Sequence, residues 1–330
     1  MNTHQYIGQS SLVKHLDSII SSGRIVHAYL FTGPQGAGKK TWSSLLARAL
    51  LCEDTGDKPC GCCPSCRQAL SGNNPDITVI GPQEGRTGIL VDQIRELQGD
   101  IIIKPYKSKR KIYIIDRAHT MNDQAQNALL KTLEEPPAYA HIMLLADNVN
   151  SLKPTILSRC QLLRVERMSR EDVAAIIMQH HTLSHGEAMA YAALSQGVPG
   201  RGLALAAGSD LKDKRDQMHK LLQRMNAAEL TELWSIFKDV REMADDLLDI
   251  LQLWFRDILV FKETGEAGMV ANMDKITCFK AQACLFTIPV LQDIIEVIEK
   301  SRRILRSNGN YQLTIENMLL RIQGGLECSS

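Results

Sequence analysis

The sequence predicts an α/β fold in its first half, a parallel sheet covered by helices, followed by a wholly helical second half. Three observations carry this expectation. Between residues 25 and 165 the runs IVHAYLF, ITVI, KIYIID, HIMLLA and QLLRV, rich in branched aliphatics, alternate with helical patterns. That alternation is the pattern of parallel strands joined by helical crossovers. A glycine-rich loop, FTGPQGAGKKT at residues 31–41, connects the first run to the helix behind it. After Arg164 the strand signal stops, and from about residue 210 the periodicity is helical throughout, as in AELTELWSIFKDV, DDLLDILQLWFRDILVF and IPVLQDIIEVIEKSRRIL.

Taken in chain order, the helix after KIYIID is expected to begin near Thr120. It places Ala125, Ala128, Leu129, Thr132 and Leu133 on one face and stops at Pro136 and Pro137. SREDVAAIIMQHH and SHGEAMAYAALSQG read as two short helices, each opened by a serine with an acidic residue close behind. GVPGRG, residues 197–202, breaks that pattern. The expected domains are 1–165 with the sheet, 166–208 as a small helical piece, and 209–330 as an all-helical domain.

The 330 residues, 44% hydrophobic and 5% aromatic, suffice for two or three packed cores. A net charge of +1 excludes a broad cationic field and, with so few aromatics, a stand-alone single-strand nucleic-acid module. The opening MNTHQYIGQSS lacks the basic flank and apolar stretch of a signal peptide, so a soluble cytoplasmic protein is expected.

Gly33, Gly38 and Lys39 fit G-x-x-x-x-G-K-[ST], with Gly36 inside the loop, between a predicted strand and a predicted helix. In such a loop the backbone N–H groups cradle phosphates, the lysine reaches the outer ones, and the next hydroxyl ligates magnesium. Here that next residue is Lys40. Thr41 does not replace it, because one step along a helix turns a side chain by about 100°. Asp116, ending KIYIID, stands where a magnesium-binding carboxylate belongs, but Arg117 follows it. A guanidinium stays protonated and cannot polarise an attacking water as a carboxylate does. A degenerate site that binds ATP or ADP without turning it over, or a relic, is expected over an active ATPase. His119 is expected to pack or cap, and Glu134 and Glu135 to form a solvated helix end.

Of nine cysteines, Cys52, Cys60, Cys62, Cys63 and Cys66 cluster in one short stretch. The spacing C-x7-C-x2-C-x2-C of Cys52, Cys60, Cys63 and Cys66 suits a closed tetrahedral zinc site, although spacing alone leaves Cys62 interchangeable with Cys63.

HAYLFTGPQGAGKKT, the cysteine cluster, KIYIIDRAH, NALLKTLEEPP and TILSRC, in this order and close to this spacing, resemble the bacterial clamp-loader subunits of DNA polymerase III, of the AAA+ class. The similarity extends over nearly the whole chain. The hydrolysing gamma/tau subunits carry an intact threonine and an Asp-Glu pair. This chain departs at Lys40 and Arg117, and together with GVPGRGLAL, WFRDILVFK and NGNYQLTIENMLLRI it looks most like the non-hydrolysing delta prime branch. The resemblance implies an AAA+ domain with a zinc module at 52–66, a helical lid, and a helical collar that joins a five-subunit ring with gamma/tau and delta. It also implies a sliding clamp and primer-template DNA as further partners. It favours Cys63 as the fourth zinc ligand. On its chemistry alone Arg159 reads as a solvated or salt-bridged arginine before the last strand; the resemblance implies a finger reaching the ATP of an adjacent subunit. Arg201 falls at the place of a lid arginine that senses nucleotide and Asn148 near that of a first sensor, with a helix-start arginine and a loop asparagine as the other readings. The resemblance thus implies a non-enzymatic component of the polymerase holoenzyme, the alternative being an active gamma/tau-like ATPase.

Overall fold

The computed structural model describes residues 7–86, 88–224, 229–238, 243–272, 275–307 and 309–327. The first six residues, on which part of the N-terminal reading rests, and Asn308 lie outside them. The chain forms two compact units, residues 1–168 and 169–330.

In the first unit α1 (Ser10–Ser22), β1 (Ala28–Thr32), α2 (Lys39–Leu51), α3 (Pro64–Leu70), β2 (Ile77–Ile80), α4 (Val91–Ile101), β3 (Lys111–Ile115), α5 (Asp123–Glu134), β4 (Ala140–Ala146), α6 (Pro154–Leu157) and β5 (Gln161–Arg164) follow one another. The five strands pair in parallel in the order β2-β3-β4-β1-β5. β3 and β4 are buried along their whole length, which explains why their sequences read as unbroken apolar runs. Alternate residues serve opposite faces. Leu30, Tyr113, Ile115, Ile142 and Leu144 pack with Ile94 and Leu97 of α4 and Leu129 of α5. Phe31, Ile112, Ile114, Met143 and Leu145 pack with Leu16 of α1 and Trp42 and Leu46 of α2. Because all strands run the same way, the segments after β1, β3 and β4 emerge at one edge of the sheet. Those before β1, β4 and β5 enter at the other.

α5 begins at Asp123, three residues later than expected. Asn122 supplies the cap by accepting from the Ala125 N–H, whereas Thr120 donates to the Arg117 carbonyl within a short 3-10 turn. The helix ends before Pro136 and Pro137 as read.

The second unit comprises α7 (Arg170–His180), α8 (His185–Leu194), α9 (Pro199–Ala207), α10 (Ser209–Arg224), α11 (Glu229–Phe237), α12 (Ala244–Thr264), α13 (Ile276–Leu285), α14 (Ile288–Arg306) and α15 (Tyr311–Glu327). Ser169 caps α7, and Ser184 with Glu187 forms a capping box on α8, matching the serine-acid signals. GVPGRG is only half a break. The turn at Gln196 and Gly197 has positive φ, but Pro199 is pre-organised for a first helical turn and opens α9. Gly202 on α9 admits a close approach, since a Cβ there would lie 3.0 Å from Ile177 and 3.1 Å from Val173 of α7. Among the described residues no single helix is long and apolar enough to cross a membrane.

Candidate phosphate loop, cysteine tetrad and edge arginine

The glycine-rich loop lies directly after β1, at the edge where β3 and β4 also end. Gly33 sits so close to the chain after β5 that a Cβ would come within 2.2 Å of the Val165 carbonyl oxygen. Gly36 and Gly38 adopt φ of 81° and 95°, the left-handed region that glycine enters without steric penalty. Gly38 caps α2, and Lys39 is its first residue. Lys39 is only 8% exposed; its ammonium donates to the carbonyls of Gly33 and Pro34, both at 2.8 Å, and pairs with Asp147 at 2.5 Å. Lys40 and Thr41, by contrast, are exposed on the first turn of α2.

Asp116 follows β3 and is half-buried, its N–H donating to the Ile80 carbonyl at 2.7 Å. Arg117, exposed with φ 52°, turns the chain into the 3-10 segment. That turn carries His119 to Asp147, whose N–H donates to His119 Nδ1 at 3.2 Å; His119 Nε2 lies 3.6 Å from the Asp147 carboxylate. Asp147 had no motif to announce it. Its position one residue beyond the last sheet residue of β4, level with Gly33, was the available signal. Asn148 accepts from the Asn150 N–H and caps a short 3-10 turn.

The cysteine sulfurs of Cys52, Cys60, Cys63 and Cys66 all lie within 4.8 Å of one another. Cys52 ends α2, while Cys63 caps α3, with Pro64 at its first position. Three backbone N–H groups point at these sulfurs: Cys60 to Cys52 Sγ at 3.4 Å, Cys63 to Cys60 Sγ at 3.3 Å, and Cys66 to Cys63 Sγ at 3.4 Å. Such donors stabilise thiolate. The N–H groups of Cys63 and Cys62 hold Cys60 down to about 6, whereas burial pushes Cys52 and Cys66 up. Cys62 is exposed, with its sulfur 3.6 Å from that of Cys60. Together with Asp54 and Cys60 it makes a second, more open group. An all-sulfur, inward-facing set with directed N–H groups fits a closed structural metal.

Arg159 lies at the opposite edge, just before β5. Its guanidinium pairs with Glu134 at 2.8 Å and donates to the Thr155 carbonyl at 3.0 Å and to Ser158 Oγ at 3.3 Å. The register of β1 with β5, Tyr29 opposite Gln161 and Thr32 opposite Arg164, puts the length of a strand between this arginine and the loop after β1. At about 3.3 Å per residue that is roughly 13–16 Å, so Arg159 does not serve its own chain's phosphate loop. With His27, Pro136 and His141 it lines a depression of about 480 Å³.

Arg201, on α9, is held by two carboxylates of α12, Asp246 at 3.0 Å and Asp249. Asp249 also binds Arg302 of α14.

A glycine-rich loop and its lysine after the first of five parallel strands, a carboxylate after the third, helices on both faces and a trailing helical unit define a P-loop fold. The family described as "DNA polymerase III, delta subunit" matches residues 8–169, and "DNA polymerase III, delta subunit, C terminal" matches residues 209–324. The chain belongs to this DNA polymerase III delta-subunit family. It is similar to the delta' subunit of Bacillus subtilis, 29% identical over 324 residues and covering 96% of this chain and 97% of that one. It is also similar to the tau subunit of Bacillus subtilis, 25% identical over 96% of this chain and 60% of that one. The Escherichia coli tau subunit is 36% identical over 181 residues, 54% of this chain and 27% of that one.

Proposed function

We propose that this chain is the delta prime type of clamp-loader subunit: a cytoplasmic, zinc-bearing member of a ring with gamma/tau and delta subunits. It helps place a sliding clamp on primed DNA while the hydrolysis of ATP proceeds on its neighbours. The observation that carries this reading is Lys40. It stands exposed where a magnesium hydroxyl belongs, and Arg117 stands where a water-positioning carboxylate belongs, so both halves of hydrolytic chemistry are missing together. Arg159 supports the second half of the proposal. It is a fixed cation at the sheet edge away from its own phosphate loop, which suits charge stabilisation at an adjacent subunit's phosphates. Cys52, Cys60, Cys63 and Cys66 would hold the zinc, whose bound role is to fix this module and leave no open position for chemistry. In this reading residues 166–208 act as the lid and 209–330 as the collar.

The purified full-length chain is expected to show no ATP turnover above background with magnesium present. Steady hydrolysis that disappears in Lys39→Ala would overturn the proposal in favour of a gamma/tau-like ATPase. Mixing the chain with gamma/tau and delta subunits should give a stable complex by size-exclusion chromatography, with clamp loading dependent on its presence.

A further inference from the structure

Failure to hydrolyse leaves open whether a phosphate loop still holds nucleotide, and the contacts of Lys39 bear on that question directly. A lysine ammonium has three N–H donors and no acceptor. In this chain each has a partner: Gly33 carbonyl at 2.8 Å, Pro34 carbonyl at 2.8 Å and Asp147 Oδ1 at 2.5 Å. Two of these acceptors belong to the loop itself. The third is a full negative charge delivered from another strand.

Asp147 is well placed to keep that charge there. It is the first residue beyond β4, whose pairing with β1 sets Ala146 opposite Thr32, and the Gly33 N–H donates to the Ala146 carbonyl at 3.4 Å. On its far side the residue is braced by His119, through its N–H to Nδ1 at 3.2 Å and its second carboxylate oxygen 3.6 Å from Nε2. The side chains of Lys39 and Asp147 are 9% and 25% exposed, so the pair is shielded from most of the solvent screening that weakens surface ion pairs.

We propose that Asp147 is an internal substitute for a nucleotide phosphate: its carboxylate neutralises Lys39 and closes the loop against polyphosphate ligands. A triphosphate entering the loop would have to displace Asp147 from the ammonium, and would then lie beside a carboxylate of like charge. What the loop retains for an anion is backbone N–H groups and the start of α2, without its usual cation. The inference concerns binding and is independent of whether Arg159 acts on a neighbour; either can fail without the other.

The test is titration calorimetry of the full-length chain with ATP, with and without magnesium, for wild type, Asp147→Asn and Asp147→Asn with Lys39→Ala. Wild type is expected to bind more weakly than about 1 mM, Asp147→Asn at least about tenfold tighter, and the double variant to lose that gain. A gain below about tenfold, or a gain that survives Lys39→Ala, overturns the proposal. A second measurement needs no variant. Under reductive methylation of wild type, read by peptide mass spectrometry, Lys39 should be protected relative to its exposed neighbour Lys40, equally with and without ATP. Equal labelling of the two lysines, or protection of Lys39 only when ATP is added, overturns it as well.

Discussion

At the scale of single residues, the positions that decide chemistry were legible where the deciding property is identity, and illegible where it is partnership. Lys40 and Arg117 are departures from a motif and need no structure to be seen. Asp147 and His119 carry no motif, and only the end-to-end alignment of β1, β3 and β4 brings them to Lys39. Asp76 is a similar case. Burial works to raise its pKa, but it accepts from the N–H groups of Ser108, Tyr106 and Lys107, which hold it below the usual range and pin the segment before β3. Arg159 sits between the two kinds: the surface salt bridge its chemistry suggests is present, to Glu134, and the role its motif implies concerns another subunit. Both readings make different demands on mutation. Arg159→Ala should leave ring assembly intact, because the pair with Glu134 is partly exposed and such pairs contribute about 0–1 kcal/mol. On the proposed role in a neighbour's site, it should lower ATP turnover at that site by about a thousandfold and impair clamp loading. Arg159→Lys should recover little, since an ammonium lacks the planar fork that spans two oxygens. Clamp-stimulated ATPase and loading assays on reconstituted complexes with matched assembly decide it; unchanged rates in Arg159→Ala would reduce the residue to its salt bridge.

Elements were read more fully than residues. All five apolar runs became strands, and their parallel pairing follows from the helical crossovers that alternate with them. Strand order did not follow, because the sequence of runs says nothing about which neighbours pair. α5 began later than expected because two residues competed to start it and the asparagine, not the threonine, satisfied a free N–H of the first turn. The cysteine stretch shows the same division. Its spacing announced a metal module but not the choice between Cys62 and Cys63; the capping of α3 decides which sulfur turns inward, since Cys63 is the cap and accepts from the Cys66 N–H. Elemental analysis of a reduced preparation is therefore expected to find one zinc per chain, unchanged in Cys62→Ser and lost in Cys63→Ser. Structural zinc binding in small peptides is worth about 10–16 kcal/mol, so a strong chelator should raise hydrogen exchange across residues 52–66 first. Full zinc content in Cys63→Ser combined with loss in Cys62→Ser would reverse the assignment.

For the molecule as a whole, the chain divides into two compact units, and the helices expected on either side of residue 209 both lie in the second. Within the second unit α9 is tied to α12 and α14 through Arg201, Asp249 and Arg302, so the short helices after residue 169 and the long ones beyond 209 share one ionic network, buried at Asp249 and Arg302. None of this is periodic, and hydrophobic patterning cannot report it. A second buried group of this unit makes its stability depend on pH. His219 of α10 is 3% exposed, packed on Trp254 with ring centroids 5.0 Å apart. Burial foremost, and the nearby charges of Arg215 and Lys275, push its pKa down to about 3. An unfolded histidine titrates near 6.5, so between these values the unfolded chain binds a proton that the folded chain refuses. Stability from this group is therefore complete above about pH 6.5 and falls by up to about 1.4 kcal/mol per unit as the pH drops below it. Asp257 pulls the other way, because burial raises its pKa and the folded unit takes up its proton earlier than the unfolded one. Comparison with His219→Gln isolates the histidine, since the carboxylates contribute equally to both proteins. Measured by urea dependence of hydrogen exchange in α12 at about pH 7 and about pH 5.5, wild type should lose about 1.4 kcal/mol more than the variant over that interval. Parallel losses in the two proteins would mean that His219 is protonated in place and that the acid sensitivity of the helical unit lies in other groups.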